Sequence, residues 1–278
     1  MRPFKKFPAR LYVLLASDAP VGVVIRRGPS KRVCTVLWNR KKDTFKLGQW
    51  MCGRIYERRS DLSPDGKHLI YFAMNGRWES ESSGAWTAIS RAPFLKAVVL
   101  LAKGDCWHGG GLFLTDRTYW LNDGHGHKSL LASNGVERDQ IFKPANYFGG
   151  ECLNVYFPRL IRDGYTMKES AEVNDRHGFV DFEKALPKGW SLRKRVHSDI
   201  HAGEGKGVYW DSHELEHSGK QLLHDTGGWE WADWVDGRLV WARKGKFFAA
   251  RLNANGLGNE RELFDFNSLE FETKAAPY

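Results

Sequence analysis

His213-Glu214-Leu215-Glu216-His217 is the segment of this sequence with the sharpest chemical reading. Two histidines four apart, with a glutamate after the first, match the His-Glu-x-x-His string of zinc metalloproteases. That chemistry needs a helix, on which both imidazoles face one metal while the glutamate polarises the bound water. A third ligand would have to follow downstream, with His224, Asp225 or Glu230 as nominees. The neighbours argue for another path. Val208-Tyr209-Trp210 leads straight into the motif, and Ser218-Gly219 would end a helix almost at once. On a strand, His213, Leu215 and His217 share one face and the two glutamates the other. The expectation is a polar hairpin, with His213 and His217 only as fallback metal ligands.

The remaining motifs fail on spacing. His125-Gly126-His127 could offer two ring nitrogens to a metal, but it follows Asn122-Asp123-Gly124 and precedes a strand, so it reads as a turn. Gly203-Glu204-Gly205-Lys206-Gly207 lacks the leading glycine and the Ser/Thr of a P-loop, and Gly109-Gly110-Gly111 leads into a strand instead of a helix. No Gly-x-Ser-x-Gly nucleophile elbow occurs. Carboxylates such as Asp163 and Asp175 could pair in space, which sequence does not decide. The expectation is therefore no catalytic residue, no resident metal and no cofactor. Trp229, Trp231 and Trp234 could stack on sugars or bases, but in an all-β repeat such residues fill the space between sheets.

Charge is uneven. Residues 1–60 hold 15 Lys and Arg against three acids, a net +12, while the other 218 residues hold 27 against 30. The basic residues come in groups: Arg26 and Arg27, Lys31 and Arg32, Arg40 with Lys41 and Lys42, Arg58 and Arg59. So many positive charges near turns and strand ends make a polyanion a candidate partner.

The elements that must position these residues are strands. Short runs rich in Val, Ile, Phe, Tyr and Trp alternate with Gly, Asp and Asn turns every eight to twelve residues, and helical periodicity is nearly absent. Six runs share one pattern: Val36-Leu37-Trp38, Leu69-Ile70-Tyr71-Phe72, Leu112-Phe113-Leu114, Val155-Tyr156-Phe157, Val208-Tyr209-Trp210 and Leu239-Val240-Trp241. Their mean spacing of about 41 residues is the period of a four-stranded propeller blade. The expectation is one all-β domain over residues 1–278, a β-propeller of about six blades, with five or seven as variants. A polar insertion is expected over residues 159–189, with a short helix around Phe182-Glu183-Lys184-Ala185-Leu186.

Asp61-Leu62-Ser63-Pro64-Asp65-Gly66-Lys67-His68-Leu69-Ile70-Tyr71-Phe72 resembles the Ser-Pro-Asp-Gly turn and strand of TolB-like propeller repeats, and Trp234-Val235-Asp236-Gly237-Arg238-Leu239-Val240-Trp241 looks like a relaxed copy. The resemblance covers only these short windows and implies a fold, not an activity. Leu11–Ala16 is too short an apolar run for a leader or a membrane span and reads as the first strand. The widely spaced Cys34, Cys52, Cys106 and Cys152 read as free, mostly buried thiols. These features lead to a cytoplasmic, monomeric, non-enzymatic scaffold that contacts a protein or other macromolecule through propeller-face loops, with no membrane partner. The alternatives are a hydrolase, zinc-dependent at His213, Glu214 and His217 or using axial carboxylates, and a non-specific polyanion or nucleic-acid binder.

Overall fold

In the computed structural model, residues 7–28, 31–148, 151–168, 177–199, 201, 207–217 and 226–278 are described. The chain divides into two compact units, residues 1–159 with 268–278, and residues 160–267. Both are built from mainly antiparallel sheets in which most neighbouring strands are consecutive.

The first unit opens with a four-stranded meander: β1 (Arg10–Leu15), β2 (Val21–Arg27), β3 (Arg32–Asn39) and β4 (Thr44–Cys52). Val23, Val24 and Ile25 are wholly buried, as a strand covered on both faces requires. β5 (Arg54–Leu62), β6 (His68–Met74), β7 (Ala85–Arg91) and β8 (Ala97–Ala102) form the second meander. β9 (Gly111–Phe113) pairs with β10 (Thr118–Leu121). The chain then returns β11 (Lys128–Leu131) to the edge of β8 and lays the short β12 (Glu137–Arg138) parallel to β10. Ile70, Ile89 and Val99 of the second sheet share one apolar cluster with Phe113, Tyr119 and Leu121 of the third.

The Ser-Pro-Asp-Gly turn joins β5 to β6 by local polar chemistry. Ser63 Oγ donates to Asp65 Oδ1 at 2.7 Å, and the same carboxylate oxygen accepts the Lys67 N–H at 3.0 Å. His68 N–H closes onto Ser63 Oγ at 2.9 Å, and Gly66 supplies the left-handed φ of +72° that the turn needs.

Val155-Tyr156-Phe157, expected as a strand, lies inside α1 (Leu153–Arg162). The triplet has strand-like composition, but Cys152, Val155, Tyr156 and Arg159 are buried at helical spacing, and that longer period prevails. The other five runs fall on β3, β6, β9, β16 and β18, which do not all hold one position: β6 and β18 are the second strands of their meanders, β3 is a third strand, and β9 and β16 lie at sheet edges. Their mean spacing therefore does not count equivalent strands.

In the second unit, β13 (Thr166–Met167), β14 (His177–Ala185), β15 (Trp190–Asp199) and β16 (Tyr209–His217) form one sheet. The segment expected as a polar insertion thus supplies the end of α1 and two strands, with residues 169–176 outside the described ones. The short helix expected at 182–186 is instead the end of β14, held by its ladder to β15 with Phe182 fully buried. The last sheet comprises β17 (Trp229–Val235), β18 (Arg238–Arg243) and β19 (Lys246–Ala250), then β22 (Arg261–Asp265) after the ribbon of β20 (Leu252–Asn253) and β21 (Gly256–Leu257). Trp229 stacks on Trp241 with centroids 4.8 Å apart, and Trp231 lies against Phe247. Both are buried, so these two tryptophans are packing residues, while Trp234 is half-buried. Among the described residues no helix is long and apolar enough to cross a membrane. All four cysteines are free; Cys34 and Cys152 are buried, whereas Cys52 and Cys106 are exposed.

Candidate binding surface on the loops of the second and third sheets

Strand register collects three loops at one end of the first unit. Met74 pairs with Ala85, Ala102 pairs with both Trp86 and Lys128, and Gly111 pairs with Leu121. The β6–β7 loop (75–84), the β8–β9 loop (103–110) and the β10–β11 loop (122–127) therefore leave from the same edge. The first two touch, because a Cβ built on Gly104 would stand 3.5 Å from Ser83. Trp78 and Trp107, 51% and 53% exposed, stand on these adjacent loops.

Beside them lies a polar frame centred on the buried Arg59. Arg59, on β5, donates to the carbonyl oxygens of Cys106 (2.7 Å) and His108 and to Cys152 Sγ at 3.3 Å. Asp105 Oδ1 accepts the Trp107 N–H at 2.8 Å, and Oδ2 meets Lys103 Nζ at 2.8 Å. Burial pushes the Asp105 carboxyl up, but these two donors hold it below the usual carboxylate range.

Thr87, His127 and Asp123 stand in the order of a hydrolytic triad. His127 Nδ1 is 2.6 Å from Asp123 Oδ1, and Nε2 is 3.1 Å from Thr87 Oγ1. Arg138 also grips Asp123 at 2.8 Å. Burial keeps the His127 imidazole below its usual pKa despite the carboxylate. The neutral ring then donates from Nδ1 to Asp123 and accepts the Thr87 hydroxyl at Nε2. Thr87 is wholly buried in β7, and its Oγ1 also accepts the Gly110 N–H at 2.9 Å. No substrate carbonyl can reach it, so the relay ties three segments together rather than attacking anything. By sequence His127 is only half of a paired-histidine turn, with no acidic partner at ligand spacing. The partner is Asp123, four residues earlier.

The other nominated residues are placed as follows. His213 and His217 lie on β16, where residues four apart are separated by about 13 Å along the strand, so the two-histidine zinc geometry is not formed. His213 Nδ1 faces the Trp229 carbonyl at 3.2 Å, and burial, with Lys194 nearby, lowers its pKa to about 3. His217 packs edge-on to Trp190, while Glu214 and Glu216 face the opposite side and pair with Arg193. Asp163 pairs with Arg162; Asp175, residues 203–206, His224 and Asp225 lie outside the described residues.

The nine basic candidates do not form one patch. Arg26, Arg58 and Arg59 are buried, the first two over the rings of Trp50 and Tyr156. Arg27 pairs with Glu57 at 3.1 Å, and Arg40 donates to the Ala19 carbonyl at 2.8 Å. Lys31 and Arg32 are exposed at one end of β3, and Lys41 and Lys42 just beyond the other, about 25 Å away. Retention of the protein on heparin should therefore fall with salt with a log–log slope of at most about 4, where nine contacts would give about 8. Lys41→Gln with Lys42→Gln should flatten it by no more than about 2. A wild-type slope near 8, measured by elution at several salt concentrations, would restore the single patch.

No protein-family model and no curated protein matches this chain. Among solved structures, the uncharacterized protein lmo1340 from Listeria monocytogenes EGD-e aligns over 95% of this chain and 85% of its own. Its identity is 11% and its TM-score 0.30, a likeness too slight to carry an argument about fold or function.

Proposed function

We propose that this chain is a non-enzymatic, protein-binding scaffold of β-propeller type that engages its partner through the loops carrying Trp78 and Trp107. The observation that carries the reading is the pair of half-exposed tryptophans on touching loops, beside a frame of consumed polar groups. Tryptophan is among the residues that dominate interface energies, and burying a large apolar side chain yields about 1.5–3 kcal/mol. The catalytic-looking groups, Thr87 and His127, are committed to each other. For the propeller, support comes from five successive, mainly antiparallel sheets made largely of consecutive strands and from the Ser-Pro-Asp-Gly turn. This reading takes five blades instead of six. Four free cysteines are what a reducing compartment maintains, and we assign the scaffold to the cytoplasm.

The test compares wild type with the Trp78→Ala, Trp107→Ala double variant. Cross-linking in native lysate should join wild type to a protein partner through residues 75–84 or 103–110. The double variant should lose that product while unfolding at the same denaturant midpoint. Equal cross-linking by both proteins, or no product with wild type, sinks the reading.

A further inference from the structure

The loops after β8 and β10 bring together two imidazoles whose nitrogens the protein leaves unused. The ring centroids of His108 and His125 are 5.2 Å apart and their planes cross at 68°. Among the described residues neither ring has a hydrogen-bond or ion-pair partner, and Nδ1 of His108 is both buried and unpartnered. Buried ring nitrogens normally find partners; His68 Nδ1 and His213 Nε2 are also left without one, but His108 has a second imidazole against it. Both residues also hold left-handed backbone, φ 57° at His108 and 66° at His125, a sparsely populated region that collects at functional sites. Gly124 makes the approach possible: a Cβ there would stand 2.2 Å from Nε2 of His108, so any side chain would push the ring away.

The spacing suits a shared metal. With zinc–nitrogen bonds of about 2.0–2.1 Å and a tetrahedral angle, the centroids of two coordinating imidazoles lie about 5 Å apart.

We propose that His108 and His125 form a two-histidine site for a divalent transition-metal ion, with water in the remaining positions. Among the described residues no third His, Cys, Asp or Glu converges on the pair. The proposal is independent of the protein-binding reading, since metal affinity is measured on the isolated chain.

The probe is Zn²⁺, titrated calorimetrically into the full chain after stripping with chelator, with Co²⁺ absorption as a second readout. The variants are His108→Asn and His125→Asn, because asparagine tolerates left-handed backbone. His125 is exposed, so its replacement leaves the core untouched if the His108 variant folds poorly. The exposed His201 serves as control, as His201→Asn. One saturable equivalent of Zn²⁺, about tenfold or more weaker in each loop variant and unchanged in His201→Asn, supports the site. No saturable binding, or binding that both loop variants retain at wild-type strength, overturns it. Equal weakening by His201→Asn overturns it too, since scattered histidines would then be responsible.

Discussion

Arg59→Met is expected to cost about 2–5 kcal/mol of stability and to release the loop that carries Trp107. Arg59 is 2% exposed, and its guanidinium holds the carbonyls of Cys106 and His108 while lying over the rings of Tyr56 and Phe72. Methionine keeps the apolar stem but leaves both carbonyls without their donor, and Glu151, 3.8 Å from the guanidinium, loses its cation. Lysine would restore the charge but not the fork that reaches two acceptors. Chemical denaturation gives the stability, and the rate of tryptic cleavage after Lys103 reports the loop. A change below about 0.5 kcal/mol with unaltered cleavage would mean that the loop holds its shape without Arg59. The same variant should weaken Zn²⁺ binding, because His108 follows Trp107 in the loop that Arg59 anchors.

The second large effect is acid sensitivity at His213. Its folded pKa is about 3, against about 6.5 for an unperturbed histidine, because burial and Lys194 disfavour the cation. Above pH 6.5 both folded and unfolded chains carry the neutral ring, and pH has no leverage through it. As pH falls below 6.5 the unfolded chain takes up a proton that the folded chain refuses. Stability then drops by about 1.4 kcal/mol per pH unit until the pH nears 3. Between pH 7 and 4.5 this one residue removes about 2–3 kcal/mol. His213→Gln keeps a donor for the Trp229 carbonyl but cannot titrate, so it should lose that much less over the same interval. Urea unfolding of both proteins at the two pH values gives the difference directly. Parallel losses would show that His213 is protonated in the folded protein as readily as in the unfolded chain.

Sequence alone was enough for features whose physics closes within about ten residues. Short apolar runs bounded by Gly, Asp and Asn turns point to strands almost everywhere, because both the run and the turn that ends it are local. The Ser63 to His68 turn is legible because its donors and acceptors are its own neighbours. The two faces of β16 follow from side-chain alternation, so the zinc-like motif is separable from a helical metal site by local periodicity alone. Tertiary structure decided what depends on register between distant segments. Val155-Tyr156-Phe157 is helical because its burial partners lie at helical spacing, which overrides the strand preference of the residues themselves. Three of the nine candidate cations turn inward, a choice made by the carbonyls and rings that the fold places around them. Thr87 and His127, and likewise His108 and His125, meet only because the β7, β8, β10 and β11 ends at one edge are brought together by strand pairing. No local spacing encodes those meetings; they exist once the ladders are paired, since pairing alone brings residues from separate loops within reach of each other.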